Sequence, residues 1–183
     1  MMLSGHVFNW EWFNSLATII PQEKCFPIYR KMQNPFWEEK IKKIRSRYGN
    51  EALEADDVMK HILRNPNDGN SAYMFVADQT PHISMVNFGL KFLNQKTPVF
   101  VGYDRLSGRM NVTFVYCEME KIKRGHYRVT YHEITPTNQK FEPYEVVKKF
   151  HQNLEKTINK NPDNWLWSHR KWKYKDAIKH FDE

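Results

Sequence analysis

The residues best suited to chemistry in this sequence are a histidine and a carboxylate five positions later, His6 and Glu11. A neutral imidazole accepts a proton near neutral pH, and a carboxylate on its other nitrogen fixes the tautomer and stabilises the imidazolium that forms. With a substrate hydroxyl on the free nitrogen, such a pair activates that hydroxyl for attack on an acyl carbonyl. Because the chain has eight histidines, one such match is also expected by chance, and the alternative is an incidental histidine beside a capped helix.

The residues around this pair predict a turn between a short strand and a helix. Gly5 permits a sharp turn, and Asn9 is a good N-cap for a helix over residues 10–20. Glu11 falls in the first turn of that helix, where the helix dipole favours a negative charge. The spacing therefore places His6 in the turn, with Glu11 one helical turn away and able to reach back to it.

Further polar residues follow two apolar segments that predict buried strands, residues 25–29 and 72–77. Ligands bind at the carboxyl ends of strands in open α/β sheets, and Arg30 stands at such an end. As a rigid fork, Arg30 could hold a phosphate or a developing oxyanion; the alternative is a surface arginine. Asp78 and Gln79 close the second strand, where Asp78 could orient a basic residue or a substrate hydroxyl, or simply cap the loop.

Asn34-Pro35 predicts the start of an amphipathic helix that extends to Arg47. The spacing puts one set of its residues toward the core: Phe36, Trp37, Ile41 and Ile44. It puts the basic set toward solvent: Lys40, Lys42, Lys43, Arg45 and Arg47. A solvated basic face is the ordinary interpretation, and the functional alternative is docking to an acidic carrier protein or to anionic lipid headgroups.

The remaining elements predict a mixed α/β domain. We expect helices over residues 51–64, 98–109 and 144–158, with His151 at the surface of the last one. We expect strands over residues 112–119 and 127–134. This order of strands and helices indicates a layered domain with a central, largely parallel sheet flanked by helices.

Composition narrows the classes of protein that fit. At 183 residues the chain is long enough for one domain with a real core, which we expect to span residues 1–183. A net charge of +7 suits an anionic partner, and six tryptophans among 15% aromatic residues suit a protein that works at an interface. Cys25 and Cys117 form neither a metal motif nor a disulfide framework. No apolar run approaches the length of a membrane span.

Four segments, in this order, resemble the signature blocks of the bacterial lipid A biosynthesis acyltransferases, the lauroyl/myristoyl transferase family. Gly5–Glu11 resembles the family's "GHxGNWE" segment, and Tyr29-Arg30 followed by Asn34-Pro35 resembles its second block. Val76–Gln79 resembles the "DQ" segment, and Trp165–Lys173 resembles the closing "WLWxHRRWK" signature.

The resemblance implies a glycerolipid-acyltransferase-like fold and an O-acyl transfer. The donor would be a fatty acyl thioester on acyl carrier protein or coenzyme A, and the acceptor a hydroxyl of a lipid A precursor or related membrane lipid. His6 with Glu11 would act as general base, and Arg30, Asp78 and Gln79 would bind substrate. No metal or redox cofactor is implied. The expected location is the cytoplasmic face of the bacterial inner membrane.

Two features depart from the family pattern. Phe8 stands where many members carry a glycine. Related enzymes also carry a membrane-anchoring region ahead of the first block, so we expect a truncated domain that meets an anionic membrane surface peripherally. By itself we expect it to be weakly active or inactive and poorly soluble without detergent. The alternatives are a family member that has lost activity and only binds membranes, or a nucleic-acid-binding module. Against the last, the basic residues are dispersed and no nucleic-acid-binding motif is present.

Overall fold

The computed structural model describes residues 1–65, 69–107, 112–135 and 141–182. The chain forms two compact units. The first comprises Met1–Met2 and Asn9–Phe75, and the second comprises Leu3–Phe8 and Val76–Glu183. The architecture is mixed α/β, with parallel and antiparallel strands and flanking helices, as the sequence predicts.

The elements have the following bounds. The strands are β1 (Met2–Ser4), β2 (Lys24–Tyr29), β3 (Leu53–Glu54), β4 (Ser71–Val76), β5 (Phe88–Phe92), β6 (Gln95–Pro98), β7 (Phe114–Lys123), β8 (His126–Thr135) and β9 (His180–Asp182). The α-helices are α1 (Pro35–Arg45), α2 (Val58–Arg64), α3 (Asp104–Ser107) and α4 (Glu145–Lys160). Within the described ranges, four 3-10 helices cover Trp10–Thr18, Ile83–Met85, Pro162–Asn164 and Lys175–Ala177. None of the helices in the described ranges is both long and apolar enough to cross a membrane.

In the first unit, β2 lies between β3 and β4 and is parallel to both. The registers pair Ile28 with Leu53 and Lys24 with Ser71. Both strands that the sequence predicts are therefore confirmed. Their apolar runs are of the kind found in strands that are covered on both faces.

The predicted helix over residues 10–20 is wrong in type, because Trp10–Thr18 is a 3-10 helix. Its short polar side chains bond to carbonyls three residues back: Asn14 to Glu11 at 2.7 Å, Ser15 to Trp12 at 2.7 Å and Thr18 to Ser15 at 2.8 Å. Such local bonds compete with the regular helical ladder and favour the tighter helix. The predicted N-cap, Asn9, makes no side-chain capping bond.

The predicted helix over residues 51–64 forms only from Val58 onward. Residues 51–55 instead follow β2: Glu51 N–H donates to the Cys25 carbonyl at 2.9 Å, and Ala55 N–H donates to the Tyr29 carbonyl at 2.8 Å. Tertiary strand pairing therefore overrides the helical periodicity of this segment.

Helix α1 begins as predicted, with the side chain of Asn34 accepting hydrogen bonds from the backbone of Phe36 and Trp37. The prediction of which face it buries is wrong for Phe36, Trp37 and Ile44, which are exposed, and for Arg45, which is half-buried. Ile41 is half-buried on the inward side, and the other four basic residues are exposed as predicted. All eleven of its residues are described and none is buried. Phe36 is 58% exposed, Trp37 54% and Ile44 48%.

The physical reason is that polar residues hold α1 to its unit. The Glu38 carboxylate accepts from the Tyr29 hydroxyl at 3.0 Å and from the Met32 N–H at 2.8 Å. The Arg45 guanidinium donates to the Glu11 carboxylate at 2.7 and 3.1 Å. These bonds hold Glu38 and Arg45 inward, and Phe36, Trp37 and Ile44 are left on the exposed side of the helix.

In the second unit, β1 lies beside β7, and β7 pairs with β8 in an antiparallel hairpin. Strand β5 pairs antiparallel with β6 and parallel with β9. The sequence gives little signal for the β5–β6 hairpin, whose two-residue turn places Leu93 and Asn94 at φ 49° and 59°. Positive φ at both turn positions suits the twist of a tight hairpin.

Helix α4 confirms the prediction for residues 144–158 and buries the apolar face expected of it: Val146, Val147, Phe150, Leu154 and Ile158. The surface position predicted for His151 is wrong, because its side chain is 1% exposed. Its Nδ1 bonds to the Val147 carbonyl at 2.9 Å, and its ring meets Phe92 edge-on.

Of the helix predicted over residues 98–109, only Asp104–Ser107 is helical, and residues 108 and 109 lie outside the described ranges. Asp104 instead caps α4: its carboxylate accepts from the backbone of Tyr144 at 2.9 Å and of Val146 at 3.1 Å. The predicted start of a strand at residue 112 is likewise later, at Phe114.

Candidate active site

His6 lies in a tight turn just after β1. The N–H of Val7 donates to the Gly5 carbonyl at 2.9 Å, which bends the backbone at His6. The backbone N–H of His6 then donates to Oδ2 of Asp78 at 2.9 Å. The imidazole is 13% exposed, so it is held by the protein and still open to a substrate.

Asp78 is the carboxylate that orients this histidine. Its Oδ1 pairs with Nδ1 of His6, while its Oδ2 accepts from the His6 backbone and from the indole N–H of Trp165 at 2.8 Å. Burial alone would raise the pKa of Asp78, but the hydrogen bonds from His6 and Trp165 outweigh it and lower that pKa to about 2. Asp78 is therefore an ionised carboxylate that receives three donors.

This arrangement fixes the tautomer of His6. An ionised Asp78 only accepts hydrogen bonds, so Nδ1 of His6 carries a proton, and in a neutral imidazole Nε2 is then the accepting atom. The side-chain amide of Gln79 lies next to this nitrogen, with its Nε2 at 3.3 Å from Nε2 of His6, a distance at which it can donate to it. Gln79 is exposed, and its amide lies where a substrate hydroxyl would approach the base.

The backbone of residues 164–166 holds the other side of the His6 turn. Val7 forms an antiparallel bridge with Trp165. Around it, the N–H of Phe8 donates to the Asn164 carbonyl at 2.7 Å, and the N–H of Leu166 donates to the His6 carbonyl at 3.1 Å. Trp165 thus supports the site twice, through its backbone at the turn and through its indole at Asp78.

A fully buried lysine, Lys171, supports Asp78 from behind. Its Nζ donates to the backbone carbonyl of Asp78 at 2.6 Å. Burial lowers the pKa of Lys171 to about 8, and the nearby Asp78 charge opposes that change. The next loop residue, Thr80, is bound to the same segment, because its N–H donates to Nε2 of His169 at 2.9 Å and its hydroxyl to the Lys171 carbonyl at 2.5 Å.

Gly5 is required by packing. A Cβ at this position would collide with the side chain of Leu154 on α4 and lie 3.3 Å from Oδ2 of Asp78. Only a residue without a side chain lets the backbone before His6 approach the carboxylate this closely.

Phe8 occupies a left-handed backbone conformation, with φ at 49°. Glycine adopts this region without cost, which gives a physical reason why many family members carry glycine here. In this chain the phenyl ring meets Tyr127 edge-on, with 6.3 Å between ring centroids.

The carboxylate bonded to Nδ1 of His6 is therefore Asp78, whereas the sequence suggested Glu11 as the partner. Catalytic assistance from Glu11 stays a prediction. Glu11 belongs to the first unit, where its carboxylate forms a two-point ion pair with Arg45 and accepts from the Asn14 amide at 3.0 Å. Burial raises the pKa of Glu11, and the bonds from Arg45 and Asn14 outweigh it and lower that pKa. The first turn of a 3-10 helix points this side chain at Arg45.

The structure brings together His6, Asp78 and Gln79 in the second unit. Arg30 belongs to the first unit, where it follows β2 directly and its side chain is exposed. Its role toward a substrate stays a prediction.

Two supporting residues, Trp165 and Lys171, were missed as parts of the site by reasoning from the sequence. The available signal was the closing tryptophan-rich signature, which suggested packing and contact with an interface. The sequence predicts that a lysine in such a segment is exposed to solvent, and only the fold shows that Lys171 is buried.

The arrangement is suited to removing a proton from a neutral nucleophile. Nε2 of His6 is the accepting atom, and the ionised Asp78 stabilises the imidazolium that forms. Acyl transfer to a hydroxyl needs such a step, because the hydroxyl must lose its proton as its oxygen attacks the acyl carbonyl.

Comparison with known families agrees with this geometry. A search among curated proteins found no significant match. The family model described as bacterial lipid A biosynthesis acyltransferase matches residues 1–174. The match includes the His6 turn, the Asp78 loop and the tryptophan-rich segment around Trp165 and Lys171. The chain therefore belongs to the bacterial lipid A biosynthesis acyltransferase family.

Proposed function

We propose that this protein transfers a fatty acyl chain from a thioester donor to a hydroxyl of a lipid A precursor or related membrane lipid, with His6 as general base. The observation that carries the proposal is the His6–Asp78 pair, whose imidazole lies at a turn and is 13% exposed. Family membership supports the acyltransferase class and lipid A biosynthesis as its context.

The proposed reaction needs one proton acceptor and one leaving group. Nε2 of His6 takes the hydroxyl proton as the acceptor oxygen attacks the thioester carbonyl and forms a C–O bond. The resulting tetrahedral intermediate collapses, the C–S bond breaks, and the imidazolium returns its proton to the departing thiolate. The products are an ester and a free thiol, so no oxidant or reductant is consumed.

Asp78 holds His6 in the tautomer that this reaction requires. Gln79 must yield its position at Nε2 when the hydroxyl arrives, and its amide then lies beside the reacting atoms. We assign Gln79 to substrate contact on that ground.

We also propose that Arg30 binds an acceptor phosphate or the oxyanion, because its guanidinium is exposed and offers a two-point fork. The proposed donor is an acyl thioester on acyl carrier protein or coenzyme A. The proposed location is the cytoplasmic face of the inner membrane, with peripheral contact to its anionic surface.

The test is transfer of a radiolabelled acyl chain from acyl carrier protein to a lipid A precursor, with free thiol release followed in parallel. His6→Ala is expected to lower the rate by about two to four orders of magnitude, the usual contribution of general-base assistance. His126→Ala, at an exposed histidine of β8, is the matched control and is expected to keep the wild-type rate. Wild-type turnover in a folded His6→Ala protein would show that His6 is not the base.

The role of Arg30 is tested in the same assay with two variants. Arg30→Ala and Arg30→Lys are both expected to lose rate, because a point charge does not reproduce the guanidinium fork. Full activity of Arg30→Lys would indicate generic electrostatics, and full activity of Arg30→Ala would remove Arg30 from the site.

A further inference from the structure

We infer that helix α1 is a membrane-docking element that inserts its outward apolar side chains into the headgroup region of an anionic bilayer. The inference deepens the proposed function by naming the surface that meets the membrane, and it rests on that function for its biological purpose. Its test measures lipid binding instead of acyl transfer, so the docking inference can fail while the proposed function holds, and the reverse.

The first observation is the inverted orientation of α1. The half-buried residues are Glu38, Ile41 and Arg45, and two of these three are charged. A helix on a soluble surface normally buries its apolar stripe and exposes its charges. Here Glu38 and Arg45 attach the helix to its unit. Three of its four large apolar side chains, Phe36, Trp37 and Ile44, point into solvent.

The second observation is that the outward residues form one continuous face. Phe36, Lys40 and Ile44 follow one another at four-residue intervals, which stacks them on one side of an α-helix. Trp37 lies beside Phe36, with the two rings edge-to-face at 5.3 Å between centroids. About half of the surface of each of these three apolar side chains is exposed.

The third observation is charge complementarity to an anionic surface. Lys40 and Lys43 are exposed on or beside this face, and Arg47 follows just after the helix. The ammonium of Lys40 lies over the Phe36 ring at 5.4 Å, so the cation and the apolar ring share one location. Phenylalanine, tryptophan and isoleucine beside lysines are typical of helices that lie in the headgroup layer of a membrane.

A lipid surface fits this face better than an acidic carrier protein does. Docking of an acidic protein through lysines requires only the cations, and it leaves three large exposed apolar side chains unexplained. Insertion into a bilayer uses both sets, because the apolar residues enter the acyl boundary while the lysines stay at the phosphates.

The experiment measures binding of the full chain to vesicles of phosphatidylethanolamine and phosphatidylglycerol, and to vesicles of phosphatidylcholine, by co-sedimentation. The apolar variant is Phe36→Ser with Trp37→Ser, and it is expected to lose roughly tenfold or more in partition coefficient. The charge variant is Lys40→Gln with Lys43→Gln, and it is expected to lose about fivefold for each lysine, on anionic vesicles only.

Matched controls come from other exposed positions. Leu63→Ser removes an apolar side chain of α2 that is 65% exposed, and Lys121→Gln with Lys123→Gln removes two exposed lysines of β7. Both controls are expected to bind vesicles as the wild type does. Thermal unfolding of each variant is measured alongside, and the α1 variants are expected to unfold at the wild-type temperature because the changed side chains are exposed.

Four results would overturn the inference. The first is wild-type vesicle binding by both α1 variants. The second is weakened binding to acyl carrier protein with vesicle binding intact, which would make α1 a carrier-docking helix. The third is dissociation of a wild-type oligomer by the apolar variant, seen by light scattering, which would make the face a self-association surface. The fourth is a clear loss of thermal stability in the apolar variant, which would show that the protein's own residues cover the face.

Discussion

The indole N–H of Trp165 donates a 2.8 Å hydrogen bond to Oδ2 of Asp78, the carboxylate whose Oδ1 pairs with Nδ1 of His6. A residue of the closing signature therefore stabilises the charge that orients the histidine of the first signature. Because three segments far apart in sequence meet at one carboxylate, the site exists only when the second unit is folded. Its components can be separated by substitutions that remove one bond at a time.

Asp78→Asn is expected to abolish most activity in a protein that still folds, although with a lower free energy of unfolding because the buried carboxylate loses its charge. The asparagine carbonyl and amide cannot hold His6 in one tautomer, nor stabilise the imidazolium, so the rate of acyl transfer should fall by roughly three to four orders of magnitude. Glu11→Gln is the comparison, because it weakens an ion pair with Arg45 in the first unit and leaves the carboxylate at His6 unchanged.

We expect Glu11→Gln to act mainly on stability, lowering the free energy of unfolding by about 1–3 kcal/mol, as for a hydrogen bond to a charged group. Rate and urea unfolding are measured for both variants. A larger loss of rate in Glu11→Gln than in Asp78→Asn would return Glu11 to the role that the sequence suggested.

Trp165→Phe is expected to keep the aromatic packing and remove the hydrogen bond to Asp78. The indole bond helps to lower the pKa of Asp78, so its loss should raise that pKa from about 2 toward the usual value near 3.9. A carboxyl with a lowered pKa stabilises the fold above its unfolded pKa, and the contribution is lost as pH falls through the folded pKa.

The variant should therefore unfold at a higher pH than the wild type in an acid titration followed by circular dichroism. At neutral pH it should be about 1.5–3 kcal/mol less stable. Trp167→Phe is the control, since that indole bonds to the Pro162 carbonyl at an exposed position. Equal effects of the two substitutions would show that the Trp165 bond has no special importance.

Phe8→Gly is expected to be more stable than Phe8→Ala by about 1 kcal/mol, because only glycine adopts a positive φ without steric cost. At an ordinary helical position the order is reversed, as should be found for the exposed Glu39 of α1. Urea unfolding of Phe8→Gly, Phe8→Ala, Glu39→Gly and Glu39→Ala measures the glycine–alanine difference in the free energy of unfolding at both positions. If alanine equalled or exceeded glycine at position 8, the left-handed backbone there would be refuted.

His151→Leu is expected to reduce the acid sensitivity of the fold. Burial, with repulsion from Lys171, lowers the pKa of His151 to about 3 in the folded protein, against about 6.5 in the unfolded chain. Between these values the unfolded state binds a proton that the folded state does not. The free energy of unfolding therefore falls as pH falls, by roughly 1.4 kcal/mol per pH unit from this group.

Leucine has a similar volume and no proton to bind, so the variant should show a shallower loss of stability between about pH 6.5 and 3. His126→Leu, at an exposed histidine, should keep the wild-type slope. Denaturant midpoints measured across this pH range decide the outcome, and identical slopes for His151→Leu and the wild type would contradict it.

The sequence by itself determined the parts whose signals are local. The apolar runs of β2 and β4, the periodicity of α4 and the Asn34 cap of α1 need no knowledge of distant residues, and each was confirmed. The choice of His6 as the reactive residue also followed from the sequence, from the turn chemistry around it and the resemblance of its segment to a family signature.

Tertiary structure decided what each polar group contacts. Glu11 is five residues from His6 and Asp78 is 72 residues away, yet strand pairing and the bridge between Val7 and Trp165 bring Asp78 to the imidazole. Periodicity marks two faces on α1 without telling which one meets the protein, and the bonds of Glu38 and Arg45 made that choice. A charged side chain such as that of Lys171 is expected at the surface when only the sequence is known. It is buried here because the fold places the backbone carbonyl of Asp78 where it can accept a hydrogen bond from Nζ of Lys171.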